Sequence, residues 1–173
     1  MKLKIITVGG TIDKVYFDNK SLYQVGSPSV MHILEEGNAT IKYKVQSLLH
    51  KDSLEMTKTD RTLIAETILK DDFKHFLVTH GTDTMVKSAR KVKKLLHEHE
   101  DNEKVVVFTG SMSPAKMRHS DATFNVGCAV TAAQTLPPGV YVIINGKVHD
   151  PDNTIKNVEK GVFEKIKEFN TQL

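Results

Sequence analysis

The chain has one cysteine, Cys128, so no internal disulfide can form, and the absence of any cysteine pattern reads as an intracellular protein. Proline is scarce, at 5, and glycine numbers 10 in 173 residues, which excludes collagen-like and linker-like chains. Nowhere do about 18 apolar residues follow one another, so no membrane-spanning helix is predicted. Met1-Lys2-Leu3-Lys4-Ile5-Ile6 enters a short apolar run without a secretory signal, and the expected location is cytoplasmic. The sequon match Asn38-Ala39-Thr40 then carries no meaning. A large excess of one charge is missing too. The 24 Lys and Arg against 21 Asp and Glu leave a formal +3, too mild to imply nucleic acid.

With 39% hydrophobic and 26% charged residues, the composition is that of a soluble globular chain, and no linker, repeat or low-complexity tract divides residues 1–173 into more than one domain. Four short runs rich in β-branched or aromatic residues read as buried strands: Leu3 to Val8, Phe76 to Val78, Val105 to Phe108, and Val140 to Ile144. Another strand is expected at 41–47. Helices are expected at about 27–37, 59–72 and 120–135. The clearest helix is Thr84 to His97, where Met85, Ala89, Val92, Leu95 and Leu96 recur at helical spacing. Its other face, Lys87, Arg90, Lys91, Lys93 and Lys94, reads as solvated rather than as a nucleic-acid surface. The alternation of strands and helices predicts a three-layer α/β/α fold with a predominantly parallel sheet, Rossmann-like or flavodoxin-like. The segment Val162 to Phe169 alternates apolar and charged residues and reads as a last strand or a docking segment.

The turns after the apolar runs share a pattern. Gly9-Gly10-Thr11 comes after the first, Thr79-His80-Gly81-Thr82-Asp83-Thr84 after the second, and Thr109-Gly110-Ser111-Met112-Ser113 after the third. In an open parallel sheet the ligand crevice lies beyond the carboxyl ends of the strands, so these turns should converge. Glycine lets backbone approach a ligand, and hydroxyls donate, accept or attack. The plainer reading is that such residues only turn the chain and cap helices. No phosphate-loop pattern, Gly-x-Ser-x-Gly elbow or His-Glu-x-x-His helix is present. His97-Glu98-His99 puts two histidines two residues apart, on different sides of a helix, so it reads as an exposed helix end and no metal is expected.

At Gly9-Gly10-Thr11-Ile12 and Thr79-His80-Gly81-Thr82-Asp83-Thr84 the sequence resembles the bacterial-type L-asparaginase/glutaminase family, in its N-terminal, catalytic domain. Val8 stands where that family usually has Thr. Further similarities run through Tyr23-Gln24-Val25-Gly26, Asp52-Ser53-Leu54-Glu55-Met56, Gly110-Ser111-Met112-Ser113-Pro114, Ser120 to Asn125, and Asn145 to Lys156. The resemblance implies Thr11 as nucleophile with Tyr23 beside it, and Thr82 as second catalytic threonine, polarised by Lys156. It implies Asp83 for the substrate α-amino group, Ser53 for the α-carboxylate, and Gly10, Gly81 and Ser111 as further lining.

The chemistry gives these roles a reason. A threonine hydroxyl needs a group to take its proton, and a lysine can serve when burial and neighbours favour its neutral form. Backbone N–H groups in glycine turns can hold an oxyanion. From the residues alone, Lys156 is a solvated lysine among Asp150, Asp152 and Lys160, and Tyr23 is not separable from Tyr16; the Val-Gly segment next to Tyr23 favours it. The expected reaction is hydrolysis of a side-chain amide, of asparagine or a related small amide, without metal or organic cofactor. The rival is a non-catalytic or weakly catalytic amino-acid-binding or amide-binding domain with the same pocket. Members of the family are typically about twice this length and complete their sites across subunits, which implies a homodimer or homotetramer and leaves the C-terminal domain without a counterpart in residues 1–173. Neither nucleic acid nor membrane is an expected partner.

Overall fold

The computed structural model describes residues 1–17 and 22–166. In chain order it contains β1 (Lys2–Gly9), β2 (Lys14–Phe17), β3 (Leu22–Val25), α1 (Val30–Glu36), β4 (Lys42–Lys51), α2 (Lys58–Lys70) and β5 (His75–Thr79). There follow α3 (Met85–Glu98), β6 (Val105–Thr109), α4 (Ala122–Thr135), β7 (Gly139–Ile144), β8 (Lys147–His149), β9 (Thr154–Asn157) and β10 (Val162–Lys165). The main sheet has the order β4-β1-β5-β6-β7-β8. Its first five strands are parallel, and β8 returns antiparallel beside β7.

The apolar runs form these strands because both faces of the sheet are covered, so neither needs polar residues. On one face Ile6, Val8, Val78 and Phe108 pack with Ile64 and Ile68 of α2 and Met85, Ala89 and Val92 of α3. On the other, Leu3, Ile5, Leu77 and Val107 pack with Ile33 and Leu34 of α1 and Val126, Ala129 and Ala133 of α4. This is the three-layer α/β/α arrangement expected from the sequence. Helix α2 starts at a capping box, in which the Thr57 hydroxyl accepts from the Asp60 N–H and the Asp60 carboxylate accepts from the Thr57 N–H. Helix α1 is shorter than the expected 27–37, because Pro28 stands just before it and holds the preceding residue away from helical geometry.

Strand β4 runs to Lys51, beyond the expected 41–47. A shift in its register with β1 between Thr7 and Gly9 lets Lys51 pair with Gly9. Two small antiparallel ribbons, β2–β3 and β9–β10, stand apart from the main sheet. Strand β10 accounts for the start of the Val162 to Phe169 segment, whose residues 167–169 lie outside the described residues.

The connections differ in hand. Helices α2 and α3 lead to a strand on the β7 side and cover one face, whereas α1 leads in the opposite direction and covers the other. These three connections therefore share one hand. Helix α4 leads toward β7 like α3 but lies on the α1 face, so β6–α4–β7 has the opposite hand. Since right-handed crossovers are nearly universal, β6–α4–β7 is the left-handed one.

Candidate active site

The sheet order turns back at β1, which has β4 on one side and β5 on the other. The crevice at the carboxyl ends of β1 and β5 is thus the switch point where an open α/β sheet binds ligands. Strand β1 ends in Gly9 and Gly10, with φ of 95° and 94°, a left-handed region that favours glycine. A Cβ at Gly10 would lie 2.3 Å from the Gly81 nitrogen, and one at Gly81 would lie 2.6 Å from the Ser53 Cβ. The turns after β1, β4 and β5 therefore interlock through backbone that only glycine allows. Ser53 is 1% exposed, and its carbonyl accepts a 2.7 Å hydrogen bond from the Thr84 hydroxyl. Leu54 beside it projects into solvent.

Thr82 and Asp83 precede α3 and could have capped it; they do not. The N-cap is Thr84, whose hydroxyl is turned to Ser53. The Lys156 ammonium instead donates to the Thr82 hydroxyl at 2.7 Å and to an Asp83 carboxylate oxygen at 2.6 Å. With 13% side-chain exposure, Lys156 is not the solvated lysine its polar surroundings in sequence suggest. It is delivered by β9, which α3 holds in place. The Arg90 guanidinium donates to the carbonyls of Pro151 at 2.7 Å and Thr154 at 2.9 Å, while Lys93 pairs with Asp150 and Asp152. Two cations of the basic stripe are thus not merely solvated.

Behind the Gly81 turn, His80 is fully buried. Its Nδ1–H donates to the Gly81 carbonyl at 2.8 Å, which leaves Nε2 to accept from the Ser88 hydroxyl at 2.8 Å. Burial lowers its pKa to about 4, so it is neutral at pH 7. The third turn joins the second through the His80 N–H, which donates to the Thr109 carbonyl. Ser111 is fully buried and its hydroxyl donates to the Ser113 carbonyl at 2.5 Å. That turn is held by Asp121, whose carboxylate accepts from the N–H groups of Met112 and Ser113, and by Asn125, which donates to the Gly110 carbonyl.

Of the residues expected at a site, Thr82, Asp83 and Lys156 meet directly, and Gly10, Gly81 and Ser53 meet through the interlocked turns. Thr11 comes directly after Gly10 and is half-buried. Tyr23 lies on β3, 50% exposed, with its ring centroid 5.3 Å from that of Tyr16 on β2. Among the described residues neither the Thr11 nor the Tyr23 hydroxyl has a hydrogen-bond partner, so no bond joins the two. Ser111 bonds within its own turn. Arg90, His80 and Thr84 escaped the sequence reading. His80 and Thr84 stood inside the His-Gly-Thr-Asp-Thr motif, but Arg90 carried no signal beyond a charge pattern.

The fold and the crevice together define an α/β protein with a threonine-, aspartate- and lysine-lined site at the switch point of a parallel sheet. The family model described as "Asparaginase, N-terminal" matches residues 2–171, and the chain belongs to that family. It is 27% identical over 154 residues to an L-asparaginase of Thermococcus kodakarensis, covering 86% of this chain and 45% of that protein. It is 28% identical over 163 residues to L-asparaginase 2 of Escherichia coli, covering 89% of this chain and 46% of that protein. The solved structure of the thermostable L-asparaginase from Thermococcus kodakarensis superposes with a TM-score of 0.81 at 27% identity, over 96% of this chain and 51% of that one. The chain thus spans about half the length of these relatives.

Proposed function

We propose that the chain is an asparaginase-like amidohydrolase that uses Thr11 to hydrolyse a side-chain amide, of asparagine or a related small amide. The observation that carries this reading is the contact of Lys156 with both Thr82 and Asp83, across 74 and 73 residues of sequence, beside the interlocked Gly10 and Gly81 turns. The Thr11 hydroxyl adds to the amide carbon, and the oxyanion is held by backbone N–H groups of the Gly10 and Gly81 turns. The C–N bond then breaks, the hydroxyl proton leaves with the nitrogen, and ammonia departs from a threonyl ester. Water then attacks the ester carbon, its proton passes by way of the Thr82 hydroxyl, which Lys156 holds in place, to the departing Thr11 oxygen, and the acid leaves with Thr11 restored.

Asp83 takes the α-ammonium group of the substrate and Ser53 its α-carboxylate, while Ser111, buried and bonded to the Ser113 carbonyl, supports the crevice wall from behind. Tyr23 closes over Thr11 when substrate is bound. A homodimer or homotetramer, in which copies complete one another's sites, is the proposed working form. The test is ammonia release from asparagine and glutamine by the wild-type chain, with Thr11→Ala and Lys156→Met beside it. Loss of about 10²-fold or more in kcat in both variants is expected. Micromolar binding of aspartate by calorimetry with no turnover, unchanged in Thr11→Ala, would instead establish an amino-acid-binding domain.

A further inference from the structure

We infer that Asp13 is a positioning residue, which fastens the hairpin bearing Tyr23 to the turn bearing Thr11. The inference rests on the amidohydrolase reading for what it positions, and on three hydrogen bonds for how. The Asp13 N–H donates to the Gly10 carbonyl at 3.1 Å, its carbonyl accepts from the Gly26 N–H at 2.7 Å, and Oδ1 of its carboxylate accepts from the Ser29 N–H at 2.7 Å. Lys14, where β2 begins, is the next residue after Asp13, and Val25, where β3 ends, precedes Gly26. One residue therefore grips both ends of the hairpin, two positions from Thr11. The Lys14–Asp52 ion pair ties the same base to the Ser53 turn.

Asp13 is 2% exposed, an uncommon place for a carboxylate without a cation bonded to it. Burial raises its pKa to about 6, against the lowering effect of the Ser29 bonds and of His50 on β4. The other charged groups nearby are Lys14, paired with Asp52, and His32, Glu36 and Lys116, which line the groove that also borders Gly26 and Ser29. If the hairpin lifts, Asp13 meets water and returns toward an ordinary carboxylate value. Closing the hairpin therefore takes up a proton between about pH 4 and 6, and closure strengthens as pH falls through that window.

Hydrogen exchange of the β2 and β3 amides, corrected for intrinsic rates, reads this latch without reference to turnover. Asp13→Asn keeps an oxygen for the Ser29 N–H and cannot ionise; Asp13→Ala keeps nothing. In the wild type, protection of β2 and β3 is expected to rise about tenfold from pH 7.5 to pH 5. Asp13→Asn is expected to be protected at both pH values without that rise, and Asp13→Ala to exchange at least tenfold faster in the hairpin with β5 and β6 unchanged. A rise that persists in Asp13→Asn would have a source other than Asp13 and would overturn the proposal, as would unchanged hairpin protection in Asp13→Ala. Should Asp13→Ala not fold, the comparison of wild type with Asp13→Asn decides alone. In ammonia release, kcat should fall about tenfold in Asp13→Ala and be rescued in Asp13→Asn. Absence of ammonia release by the wild type with the exchange contrast intact would remove the amidohydrolase reading and leave the latch standing. Turnover without the contrast would do the reverse.

Discussion

Gly10 has no room for a side chain. Its φ of 94° is already unfavourable for an L residue, and a Cβ would lie 2.3 Å from the Gly81 nitrogen, which is backbone and cannot swing aside. Gly10→Ala should cost at least about 2 kcal/mol in urea unfolding and abolish ammonia release, because the clash pushes apart the turns that hold Thr11 and Thr82. Gly10 was legible in the sequence as a strand-end glycine, and so were Thr82 and Asp83. Lys156 was not legible from its own surroundings, since nothing local distinguishes it from Lys160. Its partner lies 74 residues away, and only the family pattern indicated the pairing.

At the scale of the element, α3 joins two parts of the site. Its N-terminal end comes just after Thr82 and Asp83, and one to two turns later Arg90 holds the two carbonyls that flank the approach to Lys156. Removing the guanidinium in Arg90→Ala frees residues 151–154, so kcat should fall about tenfold, with a loss of about 1–3 kcal/mol in thermal unfolding. Arg90→Lys should not restore kcat, because one ammonium cannot reproduce a planar fork that serves two carbonyls. Periodicity gave the extent of α3 within a residue or so, since its apolar stripe is continuous. It could not separate Arg90 and Lys93 from Lys87, because the loop they bind returns some 60 residues later. Strands β2, β3, β8 and β9 went unread for a related reason: three or four residues have too few positions to show a period, whereas the start of the alternating Val162 to Phe169 segment does form β10.

The pH dependence of stability belongs to the whole molecule, where two buried groups act in opposite senses. His80, lowered to about 4, contributes stability that is full above its unfolded value of 6.5 and is lost as pH falls through 4. Asp13, raised to about 6, contributes stability that is full below its unfolded value of 3.8 and is lost as pH rises through 6. Between pH 7.5 and 5 each effect amounts to about 1–2 kcal/mol, and the two largely offset each other. Melting curves should therefore part in opposite directions: His80→Asn should melt higher at pH 5 than at pH 7.5, and Asp13→Asn lower. Parallel shifts in the two variants would show that other groups set the profile.

The left-handed β6–α4–β7 connection governs a different property. Adjacent strand–helix units of one hand can accrete in order as a chain lengthens, but α4 must carry residues 110–121 over the carboxyl edge of the sheet before it docks beside α1. Until residue 135 has emerged, Leu3, Ile5, Leu77 and Val107 have only α1 to cover them, and this uncovered face is prone to sticking to other chains. Yield during synthesis and refolding, rather than equilibrium stability, is where this crossing makes itself felt.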